Sequence, residues 1–455
     1  MPDANRPSVI IVIDPGHGGE NEGTIENGFQ EKSMTLITAK AMYEELSLYD
    51  QVTVYLTRTD DRDLSLLERA QYAKEMGADF LFSIHYNASV DHDLFGSEVW
   101  VSAQKPFLDS GFRFGQVQLA AMQETGLFLR GVKTRLNDRN EDYYGILREA
   151  AALGIPSALL EHCHVDEERD VPFCDTEEEL EAFGRADATA AAKYFGLTSR
   201  SLGVDYSDFP QSLAENVRLS SDFALKDETP PDLCMITFAE RKPAEQVIEI
   251  SISAADYDSM LLYYDYSIDG GERFSPLQPW PQSDALTGGY QDTFSLPISL
   301  PVGTASRILV RAYNLFDGFT QSNELFVEET WADAFPGQDE LGRSGLGQEG
   351  AGQDGPGDSG SDQGSPDGSD LGQESLGLLE EAAAPDALIS WKPVPGGQEG
   401  ETTNVGFGLF LQICLLCFLL LFLAVFAVQW GVYRSRRKRR RQSRNVEGDR
   451  KNHPK

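Results

Sequence analysis

Two histidines and two glutamates carry the chemistry open to this chain: His17 in VIIVIDPGHGG, Glu31 in EKSMTLITAKAMYEEL, His85 in DFLFSIHYN and Glu161 in SALLEH. Two imidazoles plus one carboxylate form the usual three-ligand set of a catalytic zinc, which leaves a coordination position for water. The remaining carboxylate can then accept a proton from that water. His17, His85 and Glu161 each follow or end an apolar run that reads as a parallel strand, and Glu31 opens a helix. Open α/β sheets gather their ligands at the carboxyl ends of strands, so residues far apart in sequence can converge there.

Each residue also has a plainer use. In DPGHGG, Pro15 and the glycines permit a tight strand-to-helix turn that projects His17 from the sheet edge, with Asp14 as the partner that orients it. A phosphate-cradling loop is the competing use of such a turn, but neither GxGxxG nor Walker spacing is present. Glu31 alone reads equally as a solvated carboxylate favoured by the helix dipole. His85, followed by Tyr86 and Asn87, reads alone as a structural residue at a strand end. Glu161 enters a largely apolar rim, where a carboxylate needs a partner or a raised pKa, and that suits a general base. His162 and His164 point to the other face of the strand. They are read as packing or surface groups, with binding of substrate or metal as the alternative. A ferrous oxygenase would use the same two-histidine, one-carboxylate set; the strand-end placement favours zinc hydrolysis.

The elements that must position these residues follow from periodicity. Residues 8–197 alternate short apolar strands with amphipathic helices, the pattern of an α/β domain with a mainly parallel sheet flanked by helices. VIIVID, VTVYLTR, DFLFSIHYN, GSEVWVS and SALLEH are the expected strands. LSLLERAQYAKEM, FGQVQLAAMQETGLFL and EEELEAFGRADATAAAKYF are the expected helices. After a linker over 198–230, residues 231–330 turn to short alternating strands with DGG and DG turns, which predicts a small all-β sandwich of immunoglobulin or fibronectin type. This domain is open to three roles: recognising a polymer, binding a protein partner, or spacing.

Composition changes after about residue 335. Residues 331–404 read as a disordered acidic linker rich in Gly, Ser, Gln and Asp, with a root-mean-square reach of ~45 to 50 Å. Val405–Val428 is an apolar run with Gln412 as its one strongly polar side chain, long enough to cross a ~30 Å hydrocarbon core as a single transmembrane helix. Trp430 and Tyr433 fall at the expected interface, and residues 434–455 hold 11 Lys and Arg against 2 Asp and Glu. The positive-inside tendency places this tail in the cytoplasm and everything before residue 405 outside the cell membrane. No basic n-region and apolar h-region follow Met1, so export requires one of three things. The chain starts upstream of Met1, or the C-terminal segment inserts late, or the topology is reversed; the first is the expectation adopted. The net charge of −35 argues against nucleic acid as a partner. Five cysteines, two of them in the apolar run, form no disulfide framework, and Cys163 and Cys174 are read as two ordinary thiols rather than a pair.

Taken in order, DPGHGG, EKSMTL, SIHYNA and YGILREAAALGIPSALLEH resemble the motifs of the zinc-dependent N-acetylmuramoyl-L-alanine amidases, which cleave peptidoglycan. The resemblance spans about residues 8–197. It implies that His17, Glu31 and His85 bind zinc and that Glu161 is the catalytic carboxylate. It also implies the bond cut, the amide joining the lactyl group of N-acetylmuramic acid to L-alanine of the stem peptide. Arg148 matches a family Leu-Arg position, with a role in orienting the stem peptide or supporting the fold, and Asp14 and Asn87 are further substrate-binding or supporting candidates. Some members carry an inhibitory helix before the last catalytic strand; the stretch from Ser102 to Tyr144 is too short for one, which predicts an uncapped groove. The alternative function is a catalytically inactive amidase fold that binds peptidoglycan or regulates its turnover.

Overall fold

The computed structural model describes residues 8–210, 226–242, 246–301 and 303–328. Six strands build the first sheet: β1 (Val9–Pro15), β2 (Val52–Leu56), β3 (Phe80–Asn87), β4 (Ser97–Val101), β5 (Leu129–Lys133) and β6 (Ser157–His164). Five helices cover it: α1 (Glu31–Leu46), α2 (Leu66–Met76), α3 (Lys105–Thr125), α4 (Gly145–Ala152) and α5 (Glu177–Phe195). The strand order is β2-β1-β3-β6-β4-β5. All neighbours are parallel except β4, which runs antiparallel to β6. The longest apolar runs occupy the centre, and every residue of β6 is buried, because a strand covered on both faces has no polar side to offer water.

Alternation along the strands sorts residues between two cores. Ile11, Ile13, Phe80, Phe82 and Ile84 join a large core under α1, α3 and α5. Val12, Leu81 and Leu159 join a smaller one with Ala73 of α2 and Ile146 and Leu147 of α4. The second row continues beyond its apolar part as Asp14, Ser83, His85 and Glu161. One face of the sheet thus delivers polar side chains to a single rim at the carboxyl ends of β1, β3 and β6. Capping boxes fix where two helices begin, with Ser65 and Glu68 at α2 and Thr176 and Glu179 at α5.

One expected helix is cut short. The helix read from Phe114 through Leu129 ends at Thr125, where Gly126 takes φ 99° and closes it. The chain then forms β5 from LRGVK, whose charged residues disguise a buried strand. Arg130 and Lys133 are both buried and both bond Glu98 of β4. Cys163 and Cys174 are free, buried thiols.

The later region is β-rich. It comprises β7 (Leu233–Lys242), β8 (Val247–Ala255), β9 (Leu261–Ser267), β10 (Thr293–Ser299), β11 (Ser306–Asn314), β12 (Phe319–Gln321) and β13 (Leu325–Val327). β7-β8-β10 form one antiparallel sheet, and β9, β11, β12 and β13 belong to a second. Ile236, Ile250, Ile252, Trp280 and Val310 fill a core shared between them. β7 is absent from the sequence expectation because Met235 and Phe238, three residues apart, are both exposed and blur the alternation. The expected 198–230 linker begins as a hairpin, Thr198–Ser199 with Val204–Asp205, tied to Asp50 and Leu48 of the first domain. Among the described residues no helix is long and apolar enough to cross a membrane. The expected span at 405–428, the linker at 331–404 and the basic tail lie outside them.

Candidate active site

The site starts at a turn held from behind. After β1 the chain passes through Gly16 into His17, which adopts φ 61° in the left-handed region that a non-glycine residue enters at a cost. Two buried arginines clamp the carbonyls of this turn. Arg58 donates Nε to Pro15 O at 3.0 Å and Nη2 to Gly16 O at 2.8 Å. Arg69 donates Nη1 to Pro15 O and Nη2 to His17 O, each at 2.7 Å. Gly16 is required because a Cβ there would lie 2.3 Å from Cε1 of His85. The absence of a side chain at one strand end therefore makes room for the imidazole of the next.

Glu31 draws both imidazoles together. Its Oε1 lies 3.1 Å from Nε2 of His17 and 3.0 Å from Nδ1 of His85, and it accepts the Tyr86 amide at 3.1 Å. Its Oε2 accepts the Thr24 amide at 2.8 Å. The far nitrogen of each ring is held as well. Nδ1 of His17 is 2.9 Å from Oδ1 of Asn21, and Nε2 of His85 is 3.1 Å from Ser83 Oγ. Ser83 Oγ is in turn 3.0 Å from Oδ2 of Asp14. One ligand atom from each of His17, Glu31 and His85 lies within 4.8 Å of the others, the only such group of three or more among the described residues.

These contacts set the charges of the trio. Burial opposes ionisation of Glu31, yet hydrogen bonds from His17 and His85 hold its carboxyl far below the usual range. His17 is moved up, because Glu31 outweighs the effect of burial. His85 is moved down, because burial outweighs Glu31. Glu161 sits beside His85 in the neighbouring strand, and its Oε2 is buried without a hydrogen-bond partner. Burial, followed by the negative charges of Glu31 and Glu98, pushes its carboxyl well above the usual range.

The remaining sequence candidates separate. Asp14 does not touch the His17 ring as expected; it bonds Thr57, Arg69 and Ser83, and so stands behind His85, while Asn21 supports His17. Arg148 donates to the carbonyls of Asp142 and Tyr143 and braces the loop before α4. Asn87 donates Nδ2 to Glu98 at 3.0 Å and lines with it a cavity of about 450 Å³. His162 does face away from Glu161, stacked on Tyr86 and paired with Asp187 at 2.9 Å. His164 is buried, in line with the packing reading, but not on that opposite face, because a register irregularity pairs it with Asn87 and turns it to the same cavity. Within Ser102 to Tyr144 the one long helix, α3, packs against α5 rather than over the trio. Sequence reasoning missed Asn21, Arg58, Arg69 and Ser83. Only the polarity of Ser83 inside the otherwise apolar FLFSIHYN hinted at any of them.

A family profile described as N-acetylmuramoyl-L-alanine amidase matches residues 11–193, the span that builds this domain and its rim. The amidase CwlM of Bacillus licheniformis is 33% identical over 191 residues, which is 42% of this chain and 70% of that protein. The chain belongs to the N-acetylmuramoyl-L-alanine amidase family. The sporulation-specific N-acetylmuramoyl-L-alanine amidase of Bacillus subtilis (strain 168) is 31% identical over 194 residues, 42% of this chain and 71% of that one. A solved N-acetylmuramoyl-L-alanine amidase from Clostridium difficile 630 aligns at 26% identity over 42% of this chain and 97% of that chain, with a TM-score of 0.37. The family match stops short of the β-rich region, which this chain carries in addition.

Proposed function

We propose that the protein is a zinc-dependent amidase that hydrolyses the bond between N-acetylmuramic acid and L-alanine of the peptidoglycan stem peptide. The observation that carries this reading is the convergence of His17, Glu31 and His85 beside a buried, unpartnered Oε2 of Glu161. The trio fits a divalent cation. Nδ1 of His17 and Nε2 of His85 are engaged from outside, which leaves the other nitrogen of each facing the carboxylate of Glu31. Nitrogen and carboxylate ligands in this ratio suit zinc with an open position. When bound there, zinc supplies Lewis-acid polarisation of the scissile carbonyl and lowers the pKa of water.

The chain's own residues do the rest. Glu161 accepts at Oε2 the proton of the attacking water and returns it to the departing amino group of alanine, so its carboxylate is regenerated. Its low-dielectric surroundings raise its affinity for that proton, which suits an acceptor that must also donate. Asn21 and Ser83 fix the ring orientations of His17 and His85, as outer partners of metal-binding histidines do. Arg58 and Arg69 hold the strained turn on which His17 sits.

The same proposal places the protein at the cell membrane. Support comes from the apolar run Val405–Val428 and the basic residues after it, which suit a single span with the catalytic domain outside and the tail inside. The test of activity is digestion of purified peptidoglycan by the zinc-loaded full chain, with released peptides sequenced from their amino ends. Peptides starting with L-alanine are expected, and Glu161→Gln should slow their release by at least about 100-fold. Equal rates for wild type and variant, or cleavage at another bond, would refute the reading and favour a binding role.

A further inference from the structure

The cavity lined by Asn87 and Glu98 is not made by the amidase domain alone. Asn87, Glu98, Trp100, Tyr144 and His164 form one side, and Phe316 and Asp317, in the turn between β11 and β12, form another. Lys226–Glu228, just before β7, completes it. Glu98 lies directly across the sheet from Glu161 in the β4–β6 register. The cavity therefore lies one strand away from the proposed proton carrier.

This junction is built as an interior. Tyr263 of β9 donates its hydroxyl to Phe95 O, and Arg130 Nη1 donates to the same hydroxyl at 3.1 Å. Arg130 Nη2 reaches Asp317 at 2.8 Å while its Nε bonds Glu98 at 2.9 Å. Arg169 donates to Leu277 O at 2.6 Å across the same seam. Leu262, Tyr263, Leu277 and Leu315 belong to the large core of the amidase domain, not to that of their own β sheets. A domain hung on a loose linker would bury no such continuous core.

We propose that the β-rich domain is a fixed wall of the catalytic cleft, and that the junction cavity receives the distal residues of the stem peptide. This rests on the amidase reading above. Peptidoglycan offers neutral acetylated sugars on one side of the scissile amide and a charged peptide on the other. The cavity matches the peptide. Arg135 and Lys226 line it, Lys226 in an exposed ion pair with Glu228 at 2.7 Å that a ligand carboxylate can compete for, and Oδ1 of Asp317 is buried there without a hydrogen-bond partner. Stem-peptide carboxylates suit the first pair and the amine of a diamino acid suits the second. The volume of about 450 Å³ lies in the range that holds a ligand of short-peptide size. Trp100 is a poor sugar platform, being buried with its indole N–H committed to Glu98 at 2.9 Å.

The test compares kcat/KM of the zinc-loaded full chain on two soluble substrates, N-acetylmuramoyl dipeptide and N-acetylmuramoyl pentapeptide. Phe316→Ala should lower the pentapeptide-to-dipeptide ratio about tenfold, the scale of one lost pocket contact. Lys226→Glu, which removes only an exposed ion pair with Glu228, should lower it about threefold through charge. It decides the matter by itself if Phe316→Ala does not fold. An unchanged ratio in the folded variants, or an equal fall on both substrates, overturns the subsite while leaving the amidase reading intact. Failure of the wild type to cleave either substrate overturns the amidase reading itself, and the subsite with it.

Discussion

Replacing Gly16 with alanine puts the packing of the proposed zinc site to a quantitative test. A Cβ at this position would meet the His85 ring at 2.3, 2.6 and 2.8 Å, at Cε1, Nε2 and Nδ1 respectively. Carbon atoms in contact prefer about 3.5 Å or more, so the ring or the turn must give way by roughly 1 Å. The turn is the stiffer partner, because Arg58 and Arg69 hold its carbonyls, so the ring moves. A displacement of about 1 Å in a catalytic group costs on the order of 100-fold in rate. That corresponds to about 2.7 kcal/mol of transition-state stabilisation. The assay pairs kcat/KM on N-acetylmuramoyl pentapeptide with zinc affinity from chelator competition, and thermal unfolding checks that the fold persists. A folded variant should lose both rate and zinc affinity. A folded variant that retains both within twofold would refute the argument that Gly16 makes room for a zinc-binding ring.

The outer partners of the histidines give a graded version of the same test. Ser83→Ala and Asn21→Ala should each weaken zinc affinity about 10- to 100-fold by freeing one ring, measured by chelator competition. Arg69→Met removes the partner of the buried Asp14 and two bonds to the turn carbonyls, and should cost about 3 to 5 kcal/mol in denaturant unfolding. The buried His162–Asp187 pair gives a pH dependence. Burial lowers the His162 pKa, but Asp187 more than offsets this and moves it above 6.5. The pair's stabilisation is then complete below about pH 6.5 and fades as pH rises through the raised value. Asp187→Asn should accordingly lower the unfolding temperature more at pH 5.5 than at pH 9.

Legibility in the sequence followed the range of the interactions involved. The strand-end positions of His17, His85 and Glu161 were readable because each sits at the limit of an apolar run, and period-two alternation turned His162 away from Glu161. The four motifs in order pointed to the family that the comparisons identify. Asp14 was placed near the site but behind the wrong histidine, since its true partners, Thr57, Arg69 and Ser83, arrive from three other elements. Arg58 and Arg69 carried no signal in the sequence, because only folding brings them to carbonyls more than 40 residues away. β5 was hidden for a related reason: Arg130 and Lys133 are tolerated in a buried strand only because Glu98 and Asp317 meet them. The same ion cluster docks the β-rich domain, which the sequence pattern did not foretell, because Arg130 and Asp317 lie 187 residues apart. Local pattern reports the face on which a residue lies, whereas the partner it finds there depends on packing between segments distant in sequence.

The central claim is that two imidazoles and one carboxylate grip a single divalent cation while a second carboxylate waits beside it. Anomalous diffraction at the zinc edge from crystals of the zinc-loaded chain tests this most directly. One peak is expected within about 2.0 to 2.2 Å of Nε2 of His17, Nδ1 of His85 and the carboxylate of Glu31. No peak among those atoms, or a peak held by other side chains, would contradict the account.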